Sequence, residues 1–354
     1  MSKPRDSSSE RAPIQWADPA REAAFHQWLE GIAEEFGLVP HTLTSASADA
    51  SFRRYLRIDS TQGTRIIMDA PPPLEDVRPF VHVASLLEQA ALTGPRILAC
   101  DAERGFLLTT DLGTELYLGA LKAGPEARVE GLMREAIKAL VQWQARVDAQ
   151  ALPPYDEAAL RAELDLFVPW CVQREHGLTW GATQTRAWAQ VCQALLSSAL
   201  AQPTVAVHRD WMPRNLMVCE GGPGILDFQD AVRGPITYDV ASLLRDAFLS
   251  WDEAREIDWA VRYWDAARAA GLPVNEDFGE FWRQLEWMGL QRHLKILGIF
   301  CRLKHRDGKP AYAADLPRFF TYATKVALRY RELKPLLALL EPMSGAAVSE
   351  GLTF

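Results

Sequence analysis

The sequence predicts an α+β chain with a small, strand-rich N-terminal lobe and a larger, mainly helical C-terminal lobe. Three observations carry this. Between Ser45 and Gly113, short β-type runs alternate with turn signals around one helical pattern. After Gly113, apolar residues recur at helical spacing over long segments. One short β section, about 205–228, interrupts those helices. A chain of 354 residues is long enough to bury two such cores. The change of character near Asp111 sets the expected boundaries: a disordered tail over 1–16, one lobe over 17–111 and the other over 112–354.

The elements follow in order. Asp18-Pro19 reads as an N-cap with proline at the first helical position. Phe25, Trp28, Leu29, Ile32 and Phe36 then share one face of an amphipathic helix. In "TSASADASFRRYLRID", small residues feed a strand ending at Leu56-Arg57-Ile58. "QGT" signals a turn and "RIIMD" the next strand. "PPPLED" breaks the chain, and Phe80, Ala84, Leu87 and Ala91 define a second helix. "PRILAC" and "GFLLTTDLG" read as two further strands about an "AERG" turn. Beyond them, helices are expected at about 126–149, 157–176, 184–201, 252–270, 276–298 and 316–340.

Composition narrows the class. The formal charge of -8 weighs against general nucleic-acid binding. The five cysteines are scattered and form no CxxC, which indicates reduced, mostly buried thiols in a cytoplasmic protein. No apolar run is long enough to span a bilayer. "MSKPRDSSSERAP" lacks the hydrophobic segment of a signal peptide. The expectation is a cytoplasmic monomer with no nucleic-acid and no membrane partner.

The chemistry concentrates in "VAVHRDWMPRNLMV", Val205 to Val218. A β-branched run leads into His208, Arg209 and Asp210, and Asn215 follows five residues after Asp210. "GILDF" then reads as a strand ending in Asp227-Phe228. The pieces are expected to form a hairpin presenting Asp210, Asn215 and Asp227 at one end. Asn215 and Asp227 are hard oxygen ligands suited to Mg²⁺ that stays bound to substrate phosphates. Phosphoryl transfer needs bridged phosphates, an aligned hydroxyl and a carboxylate to take its proton. Asp210 fits the last task. A second "HRD", His305 to Asp307, has Tyr312 where the asparagine would stand. No strand precedes it, and it reads as a surface turn.

The spacing HxDxxxxN followed by an apolar-DF segment resembles a kinase catalytic loop and metal-binding loop. "VHRDWMPRNLMV…GILDFQDAVRGPITYDVASLLRD" more closely resembles the aminoglycoside phosphotransferase-like family of small-molecule kinases, over about residues 25 to 330. Gln229 stands where protein kinases carry glycine. The resemblance implies a bilobal protein-kinase-like fold, with ATP and Mg²⁺ as cofactors and nucleotide binding in the first lobe. It also implies structural roles for His208 and Asp239. The latter is expected as a buried aspartate capping a helix N-terminus.

No GxxxxGK[ST] occurs, which excludes a P-loop. Ser45 to Tyr55 occupies the place of the phosphate-covering loop but has no glycine. Backbone N–H groups of Ser47, Asp49, Ala50 and Ser51 are candidates for phosphate. Arg53 and Arg54 either add positive charge there or cover a solvated strand face. Backbone near Thr109, Thr110, Asp111 and Leu112 is the candidate adenine contact. On the third strand, Met68 and Asp69 stand where kinase-like folds carry a lysine, and no lysine lies between Lys3 and Lys122. Glu88, the usual partner of that lysine, therefore has no assigned role.

"MDAPP", "DASFRRYLR", "TTDLG", "LDLFVPWCVQREHG" and "QRHLKILGIFCRLKHRDGKPAY" resemble a bacterial subgroup of anomeric amino-sugar kinases. That resemblance implies phosphorylation of N-acetylmuramate and N-acetylglucosamine at C1, in cell-wall recycling. The last two segments place Trp170, Gln173, Arg174, His293, Lys295 and Arg302 in the acceptor lobe. An aromatic face suits a pyranose, and a cation suits the lactyl carboxylate. Trp170, Arg174 and Arg302 are the chosen substrate-binding candidates. Other readings are a kinase of an aminoglycoside, choline or homoserine, and a nucleotide-binding pseudokinase.

Overall fold

The computed structural model describes residues 14–16, 18–48 and 52–344. It divides into two compact units, Met1–Thr114 with Gly224–Gln229, and Glu115–Pro223 with Asp230–Phe354. The first unit runs α1 (Pro19–Ala33), β1 (Leu38–Ala48), β2 (Arg54–Ser60), β3 (Gly63–Asp69), α2 (Arg78–Gln89), β4 (Ile97–Asp101) and β5 (Phe106–Thr110). Its strands form an antiparallel sheet in the order β1-β2-β3-β5-β4.

Asp18 caps α1 as expected, its carboxylate accepting from the Ala20 N–H at 2.8 Å. Phe25, Trp28 and Leu29 of α1 pack on Leu56, Ile67, Phe106 and Leu108 of the sheet. Ile14 and Trp16 pack against this core, inside the span expected as tail, and residues 1–13 lie outside the described ones. Sequence patterning read a single strand here, ending at Leu56-Arg57-Ile58, and missed β1 as a separate strand. That strand begins at Leu38, carries Pro40 on the sheet edge and shifts register between Val39 and Thr44. An edge strand tolerates both features, which erase the period-2 signal. The "AERG" turn requires its glycine. Gly105 has φ +71, and a Cβ there would lie 2.0 Å from the Ala70 carbonyl oxygen.

The centre of this unit is an ion cluster. Asp69 is 1% exposed. It accepts from Arg21 Nε at 2.9 Å and Nη2 at 2.6 Å, and from Arg54 Nε at 3.0 Å and Nη2. Arg21 lies 3.9 Å over the Phe106 ring and donates to the Arg104 carbonyl at 2.5 Å. Arg54 lies 4.0 Å over Trp16. One carboxylate thus joins α1, β2 and β3.

The second unit continues with α3 (Tyr117–Ala123), α4 (Glu126–Arg146), α5 (Glu157–Leu164), a π-helical segment (Phe167–Glu175) and α6 (Ala182–Leu200). Then come β6 (Thr204–Val207), β7 (Leu216–Cys219), β8 (Gly222–Ile225), whose Gly224 and Ile225 count with the first unit, and β9 (Val232–Pro235). The chain ends with α7 (Tyr238–Leu244), α8 (Glu253–Ala269), α9 (Phe278–His305), α10 (Leu316–Arg329) and α11 (Pro335–Ser344). The single helix expected over 157–176 is two elements, because Pro169 removes an N–H from the helical ladder and the chain adopts π geometry around it. The helix expected over 316–340 breaks at Tyr330, whose backbone is extended, and resumes with Pro335 as the first residue of α11; α9 extends past 298 to His305. Gly298 of α9 approaches the Leu166 backbone so closely that a Cβ would lie 2.7 Å from its carbonyl carbon. All five cysteines are free thiols, with Cys171, Cys192 and Cys301 buried. Among the described residues, no helix is long and apolar enough to cross a membrane.

Replacing Asp69 tests the cluster. Asp69→Ala leaves two clustered guanidinium groups without their carboxylate and should lower unfolding free energy by about 3 kcal/mol in urea titrations. Arg78→Ala removes an exposed pair with Glu103 and should change it by less than about 0.5 kcal/mol.

Candidate active site

The loop after β6 is shaped by backbone hydrogen bonds. β6 pairs with β9, Val207 opposite Val232, so the hairpin expected from the sequence is replaced by this ladder and a separate β7–β8 pair. β9, "VRGP", is too short to announce itself. After Val207 the chain enters His208, which is wholly buried, and Arg209, whose φ is +76. A left-handed arginine is strained and needs support. Asp239 provides it. Its buried carboxylate accepts the His208 N–H at 2.7 Å and the Arg209 N–H at 2.9 Å. Arg292 donates to the Arg209 carbonyl at 2.6 Å. Asp239 is therefore not the N-cap expected from sequence. Thr237 holds that position without a side-chain bond, and Asp239 lies inside the first turn of α7.

Asp210 follows, half-buried. Its N–H points to His208 Nδ1 at 3.3 Å, and its carbonyl accepts from the Met212 N–H at 2.8 Å and Asn215 Nδ2 at 3.0 Å. The five-residue spacing closes the loop on itself. His208, edge-on to Trp211 at 5.6 Å, acts as scaffold here.

Beneath the loop lies a buried charge network that sequence spacing gave no means of finding. Glu163 accepts from Arg209 at 2.7 Å, from Lys295 at 2.8 Å and from the Tyr155 hydroxyl. Lys295 also donates to the Tyr238 hydroxyl at 3.0 Å. Burial alone would weaken Arg292 and Lys295 as bases. Tyr238, Asp210 and Glu163 outweigh it and keep both cationic. Burial pushes Asp239 up to about 7, against the two backbone N–H bonds and Arg292, with Asp210 adding to the rise.

Asp227 belongs to the other unit and follows β8 at φ +60, a conformation aspartate tolerates. Gln229 Nε2 donates to its Oδ1 at 2.9 Å, and Arg53 Nη2 stands 3.9 Å from that oxygen. Phe228 is anchored on Phe80 at 4.5 Å. Asn215 and Asp227 offer an amide oxygen and a carboxylate. Among the described residues no group of three or more His, Cys, Asp or Glu could hold a metal ion. Each group taken singly is a hard oxygen donor of the kind that divalent cations accept.

The remaining candidates divide. Ser51, with Asp49 and Ala50, lies outside the described residues. Thr109 is buried, and its hydroxyl donates toward the Ile66 carbonyl at 3.4 Å. Thr110 Oγ1 accepts the Arg96 N–H at 3.0 Å. Asp111 is paired with Arg57 at 2.6 and 3.1 Å and accepts the Gly113 N–H at 2.9 Å. These side chains secure the end of β5. Thr110 and Leu112 also border a cavity of about 620 Å³ with Leu87, Glu88, Pro95 and Ile97. Glu88 is an exposed wall residue of that cavity.

Trp170 and Arg174 lie on the π-helical segment, which packs on α9, the helix that carries Arg302. Trp170 and Arg302 are half-buried, and Arg174 and Gln173 are exposed. Burial and neighbouring Arg306 lower the basicity of Arg302. Two residues of the acceptor segment are not at a surface. His293 is wholly buried, stacked on Tyr322 at 4.7 Å and bonded to the Arg245 carbonyl at 3.3 Å, and burial holds it near 3. Lys295 is bonded to Glu163 and Tyr238, beneath the loop that carries Arg209 and Asp210. The second "HRD" straddles the end of α9: His305 is its last residue, and Arg306 and Asp307 begin the exposed turn expected from the sequence. His305 Nε2 lies 2.6 Å and Lys304 Nζ 2.7 Å from Glu175, fastening α9 to the π-helical segment.

Comparison with known proteins adds the following. The model of the phosphotransferase enzyme family matches residues 42–278. The N-acetylmuramate/N-acetylglucosamine kinase of Pseudomonas putida is 50% identical, over 88% of this chain and 91% of its own. That of Pseudomonas aeruginosa is 47% identical, over 94% and 99%. A solved amicoumacin kinase, in complex with AMP-PNP, Ca²⁺ and its substrate, superposes with a TM-score of 0.58 at 14% identity. It covers 85% of this chain and 92% of its own. At that identity the likeness is one of fold: a bilobal, kinase-like α+β architecture.

The raised Asp239 gives a signed pH effect. Its folded value, about 7, exceeds the ordinary 3.8, so its contribution to stability is complete below about 3.8 and is lost as pH rises through about 7. In denaturant titrations, wild type should lose stability relative to Asp239→Asn between those limits. The difference should be flat above about pH 8.

Proposed function

The chain belongs to the phosphotransferase enzyme family, and from that premise we propose that it is an ATP-dependent kinase of N-acetylmuramate and N-acetylglucosamine, transferring the γ-phosphoryl group to the C1 hydroxyl. The observation that carries the substrate is the identity of 50% and 47% with two kinases of that name, over most of both chains. The setting we propose is cell-wall sugar recycling by a cytoplasmic monomer.

Asp210 orients the acceptor hydroxyl and takes its proton. A loose transition state asks little of that base, so its position matters more than its strength. Position is what the Asp239 and Arg292 contacts to the loop supply. Asn215 and Asp227 are the assigned ligands of Mg²⁺, which when bound neutralises charge on the β- and γ-phosphates. Backbone groups of Thr109 to Leu112 receive adenine, while the side chains there hold the strand. Trp170 offers an aromatic face to the pyranose. Arg174 and Arg302 offer cations to the lactyl carboxylate, whose absence from N-acetylglucosamine makes them determinants of preference between the two sugars.

An ADP-release assay over a panel of sugars, aminoglycosides, choline and homoserine tests this reading, with phosphorus NMR of the product to locate the new ester. The expected result is turnover of the two amino sugars with a C1-phosphate signal. ADP release only with another acceptor would replace the substrate, and ATP binding without turnover would indicate a pseudokinase. Asp210→Asn should lower kcat about 10³-fold and leave ATP affinity unchanged.

A further inference from the structure

An acceptor phosphorylated at C1 limits where its other groups can be met. The lactyl carboxylate of N-acetylmuramate hangs from C3 of the same ring, so the cation that meets it stands within the width of a sugar from Asp210. The two arginines assigned on the helical side lie farther off. Lys295 of α9 is bonded beneath the loop, and Arg302 follows it by two helical turns, about 10 Å along the axis. Arg174 lies at the same far end, where Glu175 meets Lys304 and His305.

The catalytic loop carries a cation of its own. Arg214 stands between Asp210 and Asn215, and Asn215 closes the loop on the Asp210 carbonyl at 3.0 Å. The Asn215 N–H donates to the Met212 carbonyl at 2.8 Å, and Pro213 restricts the backbone just before Arg214. Neighbouring cations are occupied: Arg209 by Glu163, Lys295 by Glu163 and Tyr238, and Arg292 by the Arg209 carbonyl. Arg214 is exposed, and its guanidinium lies 5.0 Å over the Phe248 ring, with no carboxylate partner among the described residues. Phe248 is a fixed support. Its N–H donates at 3.0 Å to Asp246, which is buried, and Arg318 donates to the Ala247 carbonyl at 2.8 Å. The half-buried ring lies 6.4 Å from Phe300 of α9. Stacking occupies one face of a guanidinium and leaves its planar fork of N–H donors for an anion.

We propose that Arg214, laid on Phe248, is the principal cation for the lactyl carboxylate, ahead of Arg174 and Arg302, and sets the preference between N-acetylmuramate and N-acetylglucosamine. The inference rests on the amino-sugar kinase reading above. The guanidinium fork matches a carboxylate bidentately. Its exposure suits a site that takes both sugars. Water solvates the cation when the neutral sugar binds, whereas a buried cation would be left unpaired.

Steady-state kinetics of the full chain with each sugar at saturating ATP and Mg²⁺ test this. The readout is the kcat/KM for N-acetylmuramate divided by that for N-acetylglucosamine. Damage to the loop lowers both and cancels in the ratio. Arg214→Ala should lower the ratio about 10- to 100-fold, chiefly through KM for N-acetylmuramate, and by more than Arg174→Ala or Arg302→Ala. Arg214→Lys should recover part of the loss. Phe248→Leu should lower the ratio less, and should add nothing in the Arg214→Ala background, because it acts through Arg214. The methyl ester of N-acetylmuramate keeps the sugar and removes the charge. Wild type should favour the acid over the ester, and Arg214→Ala should lose most of that preference. A ratio in Arg214→Ala within about twofold of wild type would overturn the proposal, since a charged hydrogen bond is worth more than that. So would a larger fall in Arg302→Ala. A wild-type chain that turns over neither sugar would overturn the amino-sugar kinase reading itself.

Discussion

A buried carboxylate accepting two consecutive backbone N–H groups organises the chemistry of this chain. Asp239 cannot leave water without compensation, and the His208 and Arg209 amides supply it. In accepting them it draws Arg209 into a left-handed turn that arginine would not choose alone. That turn places Asp210 half-exposed at the mouth of the loop, where Asn215 closes on its carbonyl. Arg292 holds the loop from the other side, and Glu163 gathers Arg209, Lys295 and Tyr155 beneath it. Networks of this kind are weak evidence for stability but good evidence for a single geometry. Position is the property that phosphoryl transfer demands.

The first unit solves a different electrostatic problem. Its third strand carries a carboxylate where related folds carry an amine, and two arginines convert that carboxylate into a structural joint among α1, β2 and β3. Arg53, the residue next to Arg54 in sequence, lies instead beside Glu75 and Asp227. Adjacent arginines thus meet different carboxylates, Arg54 at the start of β2 and Arg53 just before it.

The acceptor side is where fold says least. Kinases of unrelated alcohols share this architecture, so acceptor choice belongs to local surfaces. The surface proposed for it here is the π-helical segment, which packs on α9. Gly298 permits the close approach, and Glu175 locks the far end to Lys304 and His305. The downstream "HRD" triplet is part of that fastening, which explains why it carries no catalytic loop around it.

Local sequence determined a good deal. The Asp18-Pro19 cap and the apolar face of α1 were legible because capping and helical periodicity act within one or two turns. The spacing of Asp210 and Asn215 was legible because the loop closes within five residues. What sequence misjudged also has local causes. Pro169 and the extended Tyr330 interrupt patterns whose periodicity runs through them, and β1 and β9 are an irregular edge strand and a strand of four residues. The tertiary structure alone decided the rest. Asp239 reaches His208 across 31 residues, and Lys295 reaches Glu163 across 132. His293 and Lys295, two positions apart on one helix, became a core residue and a loop support. Arg53 and Arg54 parted in the same way. A side chain's type and spacing state what it can bond. Which partner it meets depends on chain folded from far away, and no local period encodes that.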